Sequence, residues 1–329
     1  MPVRFSVALC FLLCRSLTAE TELAGPILGF VYDPANGLQP ILGIAGASTV
    51  GPPLELTSGF SKAVISPRQD YALAASTSNP NFLRVKIGDP VSVEQFGIPI
   101  STTGLVALSP TGSSAAFLDR DRNRIQVITG IPSAPTLAWE FDLSTFSGAL
   151  ASLAVSDDAS VVIAGFSEVE ENAVAALGLG GPVRFLAGPR RATAAAFLPG
   201  ARDVIIADGP GSEIYLVRDA VVSGETTLLA SEGKEISEPI AVAVSRDGKR
   251  AFAASGSGRQ VALIDLAAKT VSAISCPCSP SELAALNGNA VFRLTAPAAG
   301  PMWLLDADAA EPRIVFVPPY RPVVEESVQ

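Results

Sequence analysis

Ile240-Ala-Val-Ala-Val-Ser245-Arg-Asp-Gly248-Lys-Arg-Ala-Phe252-Ala-Ala-Ser255 is two short apolar runs around a Ser-Arg-Asp-Gly turn. Runs of this length, rich in β-branched and small apolar residues and split by a turn containing Gly, predict a β-hairpin. The unit comes back along the chain. Ser66, Ser109, Ser156, Leu198 and Ser245 stand at equivalent places, 43, 47, 42 and 47 residues apart, and a weaker copy through Leu286 follows 41 residues later. A second strand pair follows the first in most units. The best example is Gln260-Val-Ala-Leu-Ile-Asp265 continuing to Ile274, and others contain Phe82 to Val93, Ile125 to Ile128, Ile214 to Asp219 and Met302 to Asp306. Four short strands every 40 to 50 residues is the pattern of propeller blades.

An isolated four-stranded sheet with two apolar faces is unstable in water, so each blade needs neighbours on both sides. The expected fold is all-β, a β-propeller of four-stranded antiparallel blades. Six complete repeats are legible, together with an extra amino-terminal strand pair, Phe30-Val-Tyr-Asp33 to Leu38-Gln-Pro-Ile-Leu42, which reads as a second-type (outer) hairpin. This leaves six or seven blades, with the extra pair helping to close the ring. A helical solenoid is the structural alternative, since Ser281–Leu286 and Glu171–Leu177 could each form a helical turn. The 28 Gly and 26 Pro residues oppose long helices.

Val242-Ala-Val-Ser245-Arg-Asp-Gly248 through Ala254, with Val261-Ala-Leu-Ile-Asp265 after it, resembles the YVTN-type propeller repeat and, more distantly, the repeats of lactonase-like propellers. The resemblance spans most of residues 61–318. It implies the propeller fold and leaves the activity open, because that group holds lactonases, binding proteins and members of no known activity. Ser156-Asp-Asp-Ala159 lacks the turn glycine, and Leu198-Pro-Gly200 shifts it.

Residues 1–19 read as an export signal: Arg4, then the apolar run Val7 to Leu13, then small residues before Ala19. The run between Arg4 and Arg15 is too short to cross a bilayer, and no other stretch reads as a membrane span. The expected domains are therefore a signal peptide at 1–19, a propeller at 20–318 and an extended tail at 319–329. The expected location is periplasmic or secreted. With 23 basic against 32 acidic residues the net charge is −9, and losing Arg4 and Arg15 makes it more negative. That balance disfavours nucleic acid as a partner.

The chain has no histidine, which excludes Ser-His-Asp and Cys-His catalysis and His-based zinc hydrolysis. Cys276 and Cys278, the two cysteines outside the leader, could pair in an oxidising compartment or remain as thiols; two sulfurs alone do not make a structural zinc site. Asp119-Arg-Asp121-Arg-Asn123 has alternating oxygen ligands. However, Arg124 and Gly130 stand where a calcium loop needs Gly and Glu, so no metal is expected. No cofactor motif appears. Glu168, Glu170 and Glu171, in a loop within one blade, and Arg190 and Arg191, in the next interblade loop, should emerge on the same face, where they could line the mouth of a polar ligand site. The function expected is an exported binding or scaffold module for a protein or small-molecule partner. The alternative is a histidine-independent hydrolase of lactonase or glycosidase type.

Overall fold

The computed structural model describes residues 25–321 apart from 57–58, 77, 168–172, 181–182, 234 and 298–299. The predicted signal peptide, the three glutamates and most of the predicted tail lie outside the described residues. Every regular element of appreciable length is a strand, and no α-helix occurs among the described residues.

Seven antiparallel sheets follow one another along the chain. The first has three strands: β1 (Ile27–Asp33), β2 (Gly37–Ile44) and β3 (Ala47–Val50). The second holds β4 (Lys62–Ile65), β5 (Tyr71–Ser76), β6 (Asn79–Lys86) and β7 (Ser92–Gln95). The third holds β8 (Val106–Leu108), β9 (Ser114–Asp119), β10 (Arg124–Thr129) and β11 (Thr136–Asp142). The fourth holds β12 (Ala149–Val155), β13 (Val161–Ser167), β14 (Val174–Gly178) and β15 (Arg184–Phe185). The fifth is β16 (Ala192–Phe197), β17 (Val204–Asp208), β18 (Glu213–Arg218) and β19 (Glu225–Ala230). The sixth is β20 (Pro239–Val244), β21 (Arg250–Ser255), β22 (Gln260–Asp265) and β23 (Thr270–Ser275). The seventh is β24 (Ala284–Ala285), β25 (Val291–Arg293), β26 (Met302–Asp306) and β27 (Arg313–Val317). The sheets are blades, packed face to face around a channel lined by the first strand of blades two to seven. The described residues of the two segments with helical alternatives hold strand instead of helix: β24 lies within Ser281–Leu286, and β14 begins within Glu171–Leu177.

Apolar residues collect between blades rather than in one central core. Phe252 of blade six meets Phe292 of blade seven at 5.0 Å between ring centroids. Phe82 and Phe96 of blade two pack on Phe117 of blade three. The second strands β5 and β9 are buried at every residue, as expected for strands covered on both faces.

The recurring serine explains the turns. Ser66, Ser109, Ser156 and Ser245 are fully buried. The Oγ atoms of Ser109, Ser156 and Ser245 each accept the amide five residues on, from Ser114, Val161 and Arg250. Ser156 and Ser245 also donate to Asp158 and Asp247. The turn then needs one residue in the left-handed region, supplied by Gly112 (φ 70°), Gly200 (φ 67°) and Gly248 (φ 69°). Gln69 (φ 63°) and Ala159 (φ 56°) hold the same conformation without glycine, a strain the surroundings must offset.

Adjacent turns are tied across blades. Asp157 of blade four accepts the Thr111 amide of blade three and the Gly200 amide of blade five, both at 2.8 Å. Arg246 of blade six donates to Leu286 O of blade seven and Pro67 O of blade two.

The amino-terminal strand pair settles the blade count at seven: it forms a blade of its own, to which β3 adds a third strand. Its position within that blade differs from the outer pair expected. The Asn287 amide, in the β24–β25 turn, donates to Leu28 O at the start of β1, whereas the Tyr32 hydroxyl near its end donates to Phe60 O, just before β4. Every other channel-lining strand runs the opposite way, towards the turns. β1 therefore has the direction of a second strand, and it has the burial of one: Leu28 to Val31 are buried throughout. The pair supplies second and third strands, β3 supplies the outer one, and the innermost strand of this blade is absent among the described residues.

Candidate functional site

Two openings converge on residues with chemistry to offer. The first is a cleft of about 450 Å³ on the face carrying the interblade loops, at blade five. Its walls are the loop before β16 and the β17–β18 loop, and they bring together Arg190, Arg191, Asp208, Gly211, Glu213 and Tyr215. Asp208 builds it. Its carboxylate is buried; one oxygen accepts the amides of Arg190 (2.6 Å) and Arg191 (3.3 Å), and the other accepts the Gly211 amide (3.0 Å). Both loops are thereby pinned to one side chain, and the arginine side chains project from a fixed backbone into solvent. Among the described residues neither guanidinium stands within salt-bridge distance of a carboxylate. The Tyr215 hydroxyl donates to Glu213. Burial first, then the hydrogen bond to Glu213 and the charges of Glu213 and Asp208, push this phenol well above its ordinary value. It stays a donor throughout the physiological range.

Arg190 and Arg191 are thus brought to one cleft, while Glu168, Glu170 and Glu171 lie outside the described residues. Asp208, Glu213 and Tyr215 were not singled out from sequence. The signal for Asp208 was nevertheless present: an acid closing a second strand just before a Gly-Pro-Gly loop. Asp119 does the same local work in blade three, where it accepts the Asp121 and Arg122 amides at 3.1 Å each. Those bonds occupy an oxygen that a calcium loop would need. Among the described residues no group of three or more Asp, Glu or Cys side chains is placed to hold a metal ion.

The second opening is the central channel, also about 450 Å³. Its wall is mostly small and apolar, with Ala63, Ala107, Ala154, Ala195, Ala243 and Ala284 contributed by six successive inner strands. The exceptions lie beside blade one. Arg293 Nη2 pairs with Glu282 Oε2 at 3.1 Å. Arg293 Nε and Nη1 and Glu282 Oε1 are buried with no hydrogen-bond partner among the described residues. At the turn end, Gln69 and Arg246 also line the channel.

Cys276 and Cys278 are joined in a disulfide, Cα atoms 5.0 Å apart, in the loop between β23 and β24. Both are buried between blades six and seven. Arg259 braces the loop, donating from Nη2 to Pro277 O (2.8 Å) and accepting the Cys276 amide (2.7 Å). Among the described residues no helix is long and apolar enough to cross a membrane.

No family model matches the chain, and no curated protein matches it. Solved structures do. A streptogramin B lyase superposes with a TM-score of 0.56 at 12% identity, over 82% of this chain and 87% of its own. The WD40 repeats of RRP9 give 0.55 at 13%, covering 80% of this chain and 82% of theirs. U3-55K gives 0.54 at 12%, over 80% and 83%. At such identities the likeness establishes the propeller fold and nothing about chemistry.

Proposed function

We propose that this protein is an exported binding module whose ligand contact lies in the blade-five cleft, and that the ligand is acidic. The observation that carries this is the pair of outward-facing guanidinium groups, Arg190 and Arg191, on loops locked by a single buried carboxylate. Rigid presentation lowers the ordering cost of binding, and exposed arginine is suited to bidentate capture of carboxylate or phosphate. Export rests on the signal-like pattern of residues 1–19, and a disulfide suits an oxidising compartment. Kinship with YVTN-type repeat proteins rests on the repeat around Ser245 and belongs to the same proposal.

Hydrolysis is the weaker reading, because the cleft's two carboxylates are otherwise engaged. Asp208 spends both oxygens on backbone amides, and Glu213 Oε2 accepts the hydrogen bond of the Tyr215 hydroxyl. Neither is placed as a free acid or base for an incoming bond.

The test is titration of the full chain with citrate and inorganic phosphate, followed by amide NMR. The expected result is shifts centred on Arg190, Arg191 and Gly211, with affinity reduced about tenfold or more in Arg190→Ala/Arg191→Ala, the loss of at least one charge-assisted contact. Equal affinity in the double variant removes the site. Turnover of a lactone or glycoside panel replaces binding with catalysis as the reading.

A further inference from the structure

The central channel carries cationic charge at two places, and only one of them is balanced. Where β24 enters the wall, Arg293 is paired with Glu282. At the turn end, the rim includes the residue that follows the recurring turn serine or leucine: Pro67, Pro110, Pro199 and Arg246, from blades two, three, five and six. Three of these are prolines, with neither charge nor amide hydrogen. Arg246 is the exception. Its Nη2 donates to Pro67 O at 2.8 Å and to Leu286 O at 3.0 Å, which draws the guanidinium along the rim to blades two and seven. There it meets the turn that carries Arg68, an exposed residue next to Pro67. Among the described residues no carboxylate stands within salt-bridge distance of Arg68 or Arg246. Asp308, whose charge favours Arg246, is held by Arg250 and by the amides of Asn289 and Ala290. Asp157, in the blade-four turn, gives its oxygens to Thr111 and Gly200. Burial first, then the charge of Arg68, lowers the Arg246 pKa, which marks two cations held close with no anion between them.

Inward of this rim the wall is the ring of six alanines, and the channel encloses about 450 Å³. A volume of this size falls in the range of small-molecule sites. Water against such a wall finds few hydrogen-bond partners, so an apolar body that displaced it would gain free energy. We propose that the turn end of the channel binds a small amphipathic acid, its anionic head at Arg246 and Arg68 and its apolar chain against the alanines. Two features select this chemistry. Arg246 spends Nη2 on carbonyls that fix its position, and its other N–H groups remain for an incoming anion. The charge lies at one end of the chamber alone, since Glu282 balances Arg293, so a ligand with a single acidic end and an apolar remainder matches it. The rim is on the face opposite the blade-five cleft, and this proposal does not depend on what binds there.

The experiment is titration of the full chain carrying Arg190→Ala/Arg191→Ala with octanoate and decanoate, followed by calorimetry and amide NMR. That background removes the cleft's arginines, so a failure here is distinct from a failure there. Decanoate should bind about tenfold more tightly than octanoate, because each buried CH₂ is worth about a factor of four. It should shift the amides of Ala107, Ala154 and Ala195 and leave Gly211 in place. Arg68→Glu changes a side chain that makes no hydrogen bond among the described residues, so the fold should survive it. It should weaken decanoate about fivefold or more by reversing one of the two charges. Ala107→Leu/Ala195→Leu, which fills the channel from two blades, should remove the advantage of the longer chain. The proposal is overturned by any of three results: no saturable binding of decanoate, equal affinity for the two acids, or an affinity indifferent to Arg68→Glu.

Discussion

Gln69 shows how a single side chain can offset a strained backbone. It takes the left-handed turn position that glycine holds in other blades, and its amide group makes three bonds. Oε1 accepts the Phe30 amide, and Nε2 donates to Ser66 O (3.1 Å) and Ala285 O (2.6 Å). Blades one, two and seven thus meet at one residue, where the ring closes. Gln69→Ala keeps the strain and loses all three bonds. It should destabilise the fold by about 2–4 kcal/mol, measured as the shift in urea midpoint, and an effect within 0.5 kcal/mol would contradict this role. Asp158 makes a pH-dependent contribution. Burial raises its pKa, but hydrogen bonds from Ser156, Ser160 and Arg202 outweigh that and hold it at about 2 against an ordinary 3.8. A depressed carboxylate stabilises the fold fully above its unfolded value and stops doing so as pH falls through the folded one, so this contribution fades between about pH 4 and pH 2. Its half-exposed side chain keeps the effect small. Thermal unfolding followed from pH 5 to pH 2 should show a shallower decline in Asp158→Asn than in the unmodified chain; parallel curves would remove Asp158 from the account. The buried serines before each turn were legible because their spacing repeats. Gln69 was not, since glutamine at that position carries no local signal and its partners lie up to 216 residues away.

At the level of strands, periodicity read well where runs were long. β20 to β23 and the pair β6–β7 follow the apolar runs quoted from the sequence. It read poorly where pairing is brief. β24 has two residues, so neither a period of 2 nor one of 3.6 can be established there, and its assignment to a sheet comes from Phe292 and Arg293 across the ladder. β1 and β2 were recognised as strands but placed in the wrong half of a blade. A strand pair carries no mark of its distance from the axis; that is set by which neighbours bury it. The blade-five cleft was half legible. Arg190 and Arg191 drew notice as adjacent charges, whereas Asp208 looked like any acid at a strand end until its two oxygens were seen to tie separate loops.

The whole molecule is a set of sheets that share their cores. Most buried apolar side chains lie between blades, as in the clusters joining blades three to four, four to five and six to seven. A two-blade fragment keeps one internal interface and leaves two outer faces bare. Residues 192–275, which contain blades five and six, should therefore lack a cooperative thermal transition by circular dichroism. A sharp transition in that fragment would show that the blades are independent. By itself the sequence determined the class of fold, the repeat length, the all-strand character and the absence of histidine chemistry, because these follow from local periodicity and residue inventory. Only the tertiary structure decided that there are seven blades, that β1 and β2 are the second and third strands of the first, that Gln69 clasps the ring and that Asp208 holds the arginines in place. Each of these depends on contacts between segments far apart in the chain, and such contacts form only when the blades close around their common axis.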